Sequence, residues 1–402
     1  MGGLEIIFSL ILGVFIGIIT GLTPGIHVNL VSVIILSISA LLLQITSPLV
    51  IGVFIISLAI THTFLDSIPS IYLGAPDAGQ ELNVLPGHRL LHKGLGHNAV
   101  IYTLIGSMGC LLLGIVLFPL LIFSMAKLFP IVSRIIGYLL IAVMAIMIFR
   151  EKGKRAKSLA LFLLAGCLGM LVFSIPNLKQ PLFPLLSGLF GFSILLVSLL
   201  EKSVIPKQKL NQPLNISNKN IAKSVSAATG MGFVSAFLPG FGNSQAAIIA
   251  TNIVGDIGDE GFLSLVGGLN TASMLISIAA AYTLDKARNG AIVVVNKLIG
   301  SITIQDMLVF IAVALVVGGL STIMTLKISK TFSKYITKVN YTYLIIGIIS
   351  FITLLTIFFD GFIGLIILFT ATAIGLLASS WKIGKNHLMG CLILPVIFYF
   401  VM

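Results

Sequence analysis

Charge is the scarcest property of this chain: only 9% of its 402 residues are Asp, Glu, Lys or Arg. A soluble globular domain carries about 25%, so the sequence has too few polar side chains to coat a water-facing surface of its size. That shortage excludes an ordinary soluble enzyme or binding module. Acidic residues are rarer still, 12 against 24 Lys and Arg, and the net +12 falls in short segments between apolar runs. No basic stripe with interleaved aromatics occurs, so nucleic acid is not an expected partner. Cysteine is nearly absent. Cys110, Cys167 and Cys391 each sit in an apolar stretch without metal-ligand spacing, which leaves them as small core residues rather than disulfides or ligands. A nucleophile elbow, a phosphate loop and a His-Glu-x-x-His motif are all missing. Clustered acids, bases or metal ligands inside the apolar runs are scarce, so catalytic residues, an enzymatic activity and a metal are not expected. Three histidines, His88, His92 and His97, share one polar segment, but their spacing is no ligand signature.

What is present is apolar length: 58% of the chain is hydrophobic, in runs long enough to cross a bilayer. Leu4–Leu22 and Ile26–Ile45 flank a Pro24-Gly25 pair. Pro48–Leu73 follows, then a polar segment 74–98, then Ala99–Phe118, Pro130–Phe149, Ser158–Ile175 and Leu182–Leu200. Residues 201–223 are polar and hold Lys202, Lys207, Lys209, Lys219 and Lys223. The plan then repeats. Ser224–Leu238 and Gly242–Val254 flank Pro239-Gly240, and Phe262–Leu284, Met307–Leu326, Tyr341–Phe359, Gly361–Ser379 and Leu388–Met402 follow. The predicted fold is an all-α polytopic membrane protein. Its predicted units are a membrane repeat 1–200, a basic cytoplasmic connector 201–223 and a second membrane repeat 224–402. Each repeat is a Pro-Gly broken hairpin plus five spans. A hairpin adds no net crossing and five is odd, so the halves are predicted to be inverted. Basic clusters at 150–157, 201–223, 327–338 and at Lys382 and Lys385 then fall on one side, the cytoplasmic one. Segment 74–98 joins them, and both termini are predicted to be extracytoplasmic. Lys127, Arg134, Lys286 and Arg288 fall on the other side and weaken the bias without reversing it.

The two breaks are the most informative motif. With the Pro-Gly pairs in register, Gly17 falls on Gly232 and Thr20 on Ser235. A broken helix in a membrane must satisfy its freed backbone groups against protein or a wet cavity, and paired broken segments point to a transporter's substrate site. The new half-helix begins with unpaired N–H groups and a positive dipole end, suited to carboxylate or phosphate. Simple proline kinks are the bland alternative. Thr23, Pro24, Gly25, His27 and Asn29 at the first break, and Pro239, Gly240, Asn243, Ser244 and Gln245 at the second, are the predicted substrate-binding residues; their polar groups can equally serve as interhelical hydrogen bonds. His27 can also carry a proton. Asp66 lies late in an apolar span, where a carboxylate is either functional or close to the interface. Asn270 and Thr271 match His62 and Thr63 of the first half. Asp66, Asn270 and Thr271 are the predicted coupling-ion residues, for Na⁺ or H⁺, and no other cofactor is expected. Gly13, Gly17 and Gly21 form a small-residue stripe for helix packing.

The run Gly17 to Pro24-Gly25 followed by an apolar helix resembles the opening of the TctA-like proteins, the large membrane subunits of tripartite tricarboxylate transporters. Ile68-Pro69 through Leu85-Pro86-Gly87-His88-Arg89-Leu90-Leu91-His92-Lys93-Gly94, the second Pro239-Gly240 and the run Gly267-Gly268-Leu269-Asn270-Thr271-Ala272 are similar to further motifs of that family. The resemblance covers most of the chain. His27-Val28-Asn29 replaces the usual continuation, and a Pro-Gly-rich loop of the second half is absent, as in a compact branch. The resemblance implies a small membrane subunit and an extracytoplasmic binding protein as partners. The expected function is an ion-coupled secondary transporter (permease) of a small organic anion, a carboxylate first of all, in the cell membrane. The alternative is a polyprenyl-phosphate lipid-carrier translocase, which also uses paired Pro-Gly hairpins. A lipid-acting membrane enzyme and a purely structural subunit are the remaining readings.

Overall fold

A computed structural model describes residues 3–23, 28–75, 80–200, 205–238, 241–285, 289–336 and 341–401. Among them the secondary structure is helical throughout, with no strand. Among the described residues seven helical stretches are long and apolar enough to cross a membrane: Gly3–Leu22, Pro48–Leu73, Gly96–Ile131, Arg155–Ser174, Gly258–Leu284, Ile304–Ile336 and Ile345–Ser380. Two of them form the centre. The most apolar windows of Pro48–Leu73 and Gly258–Leu284 are 83% and 94% buried, against 28–44% for the rest. A helix buried on every side needs no amphipathic stripe, and it is these two that carry the polar residues. The peripheral helices turn Leu, Ile and Phe outward, as a lipid-facing surface requires.

The central helices have matched companions. Gly3–Leu22 packs along Pro48–Leu65, and Asn218–Phe237 packs along Gly258–Leu284. Glycine allows both approaches. A Cβ on Gly17 would lie 2.6 Å from the Thr61 Cβ, and one on Gly232 would lie 2.6 Å from the Ala272 Cβ. One turn later Thr20 Oγ1 donates to the Gly17 carbonyl at 3.2 Å, and Ser235 Oγ donates to the Gly232 carbonyl at 3.1 Å. The helix that follows each broken element also begins beside that element's first helix. Ser9 Oγ donates to the Val50 carbonyl at 2.7 Å. In the second half Lys223 Nζ donates to the Val254 carbonyl at 3.2 Å, and Ser224 Oγ to the Gly261 carbonyl at 2.9 Å. The basic connector is tied down as well: Lys209 N donates to the Gly94 carbonyl at 2.8 Å, and Gly96 N to Gln208 Oε1 at 2.9 Å.

Some apolar runs separated in the sequence are joined in the structure. Ala99–Phe118 and Pro130–Phe149 lie in one helical run, Gly96–Arg150, of 55 residues. A straight helix of that length spans about 80 Å. Yet Arg150 Nη1 donates to Asn252 Oδ1 at 3.1 Å, while Arg89, just before the run, pairs with Asp259. The two ends are thus held near one short stretch, so the run turns back on itself; Pro119 and Pro130 are the breakers within it. Tyr341–Ser380 is likewise two helices joined at Gly361, whose φ of 60° and ψ of −145° lie in a region open essentially to glycine alone. No atom within 4 Å would obstruct a Cβ there, so Gly361→Ala tests backbone strain by itself. It is expected to cost about 1–3 kcal/mol and to lower the thermal midpoint in detergent; an unchanged midpoint would show that the turn relaxes freely.

Candidate functional site

Helix Pro48–Leu65 stops at Asp66, and Ser67–Leu73 continues from it. Asp66 is 1% exposed, and a carboxylate in such a place needs hydrogen-bonding partners. It has two amides. Gln80 Nε2 donates to Oδ1 at 2.9 Å and Asn270 Nδ2 donates to Oδ2 at 2.6 Å. The line continues into the second half: Asn243 Nδ2 donates to Asn270 Oδ1 at 2.9 Å, and Ser235 Oγ to Asn243 Oδ1 at 3.4 Å. Beside it Thr271 Oγ1 donates to Thr63 Oγ1 at 3.2 Å, and His62 Nδ1 lies 3.1 Å from Thr20 Oγ1. Asp66, Asn270 and Asn243, separate candidates in the sequence, therefore belong to one hydrogen-bonded line that joins the halves.

That line borders a cavity of about 200 Å³ walled by Asn29, Asn243, Ser244, Gln245 and Asn270 together with Glu81, Ser273, Ser277 and Asn289. Residues that follow the two breaks thus face one space. Helix Asn243–Val254 begins there, with Gly242 in extended conformation at its N-cap, so its first N–H groups and the positive end of its dipole meet the cavity. Asn29 is the second residue of helix Val28–Ser37. The Gln245 side-chain oxygen is buried and has no hydrogen-bond partner. Among the described residues lining the cavity there is no Lys or Arg. Thr23 is not in the wall; its N–H donates to the Ile19 carbonyl at 3.1 Å and closes the first helix. Pro24, Gly25, His27, Pro239 and Gly240 lie outside the described residues.

The sequence places Glu81 in a polar cytoplasmic segment; the structure folds residues 80–83 inward. Gln80, Glu81 and Asn83 are at most 1% exposed. Ser244 Oγ donates to Glu81 Oε1, and Asn83 Nδ2 to Gln80 Oε1. The segment is amphipathic: Leu82, Val84, Leu90 and Leu91 are buried while Arg89 reaches Asp259. That pattern was available as a signal for inward folding. So was the spacing of Ser273 and Ser277, which fall on the Asn270 face of one helix. Glu81 also lines a second cavity of about 360 Å³, bordered by Arg89, Thr251, Asp256, Asp259 and Lys385. The three histidines of this region do not converge. His97 Nδ1 lies 2.9 Å from Ser329 Oγ, and the His88 and His92 rings are 6.2 Å apart. Burial, with His92 and Lys385 adding repulsion, pushes His88 down to about 3, so its ring stays neutral at physiological pH. Among the described residues no group of three His, Cys, Asp or Glu is placed to hold a metal.

Comparison with known proteins gives two matches. The model of the tripartite tricarboxylate transporter TctA family matches residues 7–390. An uncharacterized protein of Methanocaldococcus jannaschii is 29% identical over 401 residues, covering 98% of either chain. No solved structure matches significantly.

Proposed function

The chain belongs to the tripartite tricarboxylate transporter TctA family, and from that premise we propose that it is an ion-coupled permease for a small carboxylate bound at the cavity between the two breaks. It is a multi-pass membrane protein and a transporter component. Members of the family work with a small membrane subunit and a periplasmic binding protein, and the same assembly is proposed for this chain. The observation that carries the reading is the convergence of Asn29 with Asn243, Ser244 and Gln245 on one cavity. A half-helix terminus with amide and hydroxyl side chains suits a carboxylate without any full positive charge. Pro24, Gly25, His27, Pro239 and Gly240 are proposed to complete the site from the two breaks, with Thr23 outside the cavity wall.

The two repeats, 1–200 and 224–402 with the connector 201–223, are proposed as inverted halves. Three observations support that arrangement: in each half the first helix of the broken element is hydrogen-bonded to the start of the helix that follows the element, the Gly17 and Gly232 contacts correspond, and Thr63 meets Thr271 between the halves. Transport then proceeds by movement of one unit against the other around the site, with both termini extracytoplasmic. Asp66, Asn270 and Thr271 are the proposed coupling residues, for Na⁺ or H⁺.

The test is ligand stabilisation of the purified protein by citrate and by undecaprenyl phosphate, with and without Na⁺. Citrate at a hundred times its Kd is expected to stabilise by about 2.7 kcal/mol. Asn29→Ala and Asn243→Ala are expected to stay monodisperse and to lose that shift. Stabilisation by the lipid phosphate with no response to citrate would overturn the carboxylate reading in favour of a lipid-carrier translocase. An unaltered citrate response in both variants would remove the cavity from the mechanism.

A further inference from the structure

Glu81 stands in the wall of both cavities. It is almost wholly buried, and its carboxylate accepts a hydrogen bond from Ser244 in the first turn of helix Asn243–Val254. This is the terminus assigned above to the substrate's carboxylate. The neighbouring Gln245 side-chain oxygen, 2% exposed at the residue level, has no partner. Gln245 can present its amide N–H₂ to a bound carboxylate by rotation of its side chain.

We propose that Glu81 is a tethered competitor of the substrate: its ionised carboxylate holds the amino-terminal end of helix Asn243–Val254 until it takes up a proton from the second cavity, and the substrate carboxylate then occupies that end. The proposal rests on the carboxylate reading of the central cavity and names its coupling ion as H⁺. Two carboxylates sharing one site cannot both ionise cheaply, so binding of the second raises the proton affinity of the first. One proton is bound at Glu81 for each substrate carboxylate that arrives, and the neutral Glu81 donates its O–H or withdraws from Ser244. Binding of substrate and binding of proton then favour each other by the same factor.

The charged and titratable groups around Glu81 make this direction consistent. Asp66 lies beyond Gln80, and Asp256 and Asp259 border the second cavity. Cys391 lies close enough to feel the Glu81 charge. Of the cations bordering that cavity, Arg89 is paired with Asp259, and Lys385 donates to Ser193 Oγ at 2.8 Å. The second cavity is the path by which the proton arrives, since Glu81 lines it as well as the central one.

Calorimetric titration with citrate in buffers of different ionisation enthalpy counts the protons taken up. At about pH 8, where citrate and an unperturbed carboxyl are both fully ionised, the wild type is expected to bind about one proton per citrate. Glu81→Gln is expected to bind none and to bind citrate about tenfold more tightly, a change of about 1.4 kcal/mol. Equal proton uptake in Glu81→Gln would overturn the proposal while leaving the carboxylate site intact. A second arm needs no transported substrate. In Glu81→Ala the helix end is vacated, and formate is expected to raise the thermal midpoint of this variant and, to a smaller extent, of Glu81→Gln, but not of the wild type. Absence of formate rescue in folded Glu81→Ala would overturn the proposal. Should the wild type bind no carboxylate at all, the permease reading fails, and formate rescue still decides whether Glu81 holds the terminus.

Discussion

Asp66→Ala is expected to abolish transport and to destabilise the protein more than any other single change at the site. Its carboxylate receives one hydrogen from Gln80 and one from Asn270. Alanine leaves both buried amide donors without an acceptor, at about 1–3 kcal/mol each. The loss spreads, because Asn270 is also the acceptor for Asn243, and an Asn270 amide free to rotate no longer fixes the cavity wall. Asp66→Asn separates the charge from the geometry. Asparagine keeps one acceptor but turns an N–H₂ toward a donor that already points there. Uptake per folded molecule, measured in proteoliposomes, is expected to fall to background in both variants, with Asp66→Asn the better folded. Wild-type uptake by Asp66→Asn would show that the charge takes no part in coupling.

Gly106→Ala is the second large effect, and it acts through the scaffold. Gly106 lies where the Gly96–Arg150 run crosses Gly258–Leu284. A Cβ there would fall 1.7 Å from the Ser264 carbonyl oxygen and 2.9 Å from the Gly268 nitrogen. The crossing is tight from the opposite side too: a Cβ on Gly267 would lie 2.6 Å from the Thr103 carbonyl oxygen, and Ser107 Oγ donates to the Gly267 carbonyl at 3.1 Å. These obstacles are backbone atoms in two regular helices, so no side chain can swing away. Overpacking of this kind costs about 1–3 kcal/mol and occasionally more, and with a backbone obstacle the upper end is expected. The displaced helix bears Asn270, Ser273 and Ser277, so surviving folded protein is expected to bind citrate weakly. Gly319→Ala is the control, since nothing lies within 4 Å of its Cβ position; it is expected to change stability by no more than about 0.5 kcal/mol. Fluorescence-detected size exclusion and thermal midpoints of the two variants provide the comparison. Similar behaviour of the two would show that the helices separate without penalty.

Hydropathy made the helical class legible, because uninterrupted apolar runs of about 20 residues span a bilayer as helices, whereas barrel strands are short and alternating. The two breaks and the polar residues after them were legible as well, since Asn29, Asn243, Ser244 and Gln245 interrupt otherwise apolar sequence. Glu81 was not. Hydropathy reports how polar a segment is, and 74–98 is polar enough for a loop; the amphipathic spacing of Leu82, Val84, Leu90 and Leu91 was the one sign of a buried face, and their packing shows it folding inward. The joined run Gly96–Arg150 has the same origin. Pro119 and Pro130 suggest a loop by composition, but the residues between them are helical, with Leu120, Phe123 and Leu128 exposed. Asp66 could be recognised as unusual, whereas its partners Gln80 and Asn270 could not be assigned, because hydrogen bonds across so many residues leave no periodic trace.

The polar side of helix Pro48–Leu65 is completed largely from the second half. Thr61 accepts from Ser321, Thr63 from Thr271, and Asp66 from Asn270. During synthesis none of those partners exists when the segment leaves the ribosome. It must therefore enter the bilayer as an unfinished surface and be sheltered by the insertion machinery until the later helices emerge. An amino-terminal fragment released at the connector would keep that surface exposed, which makes such fragments natural targets for membrane proteases rather than stable half-transporters.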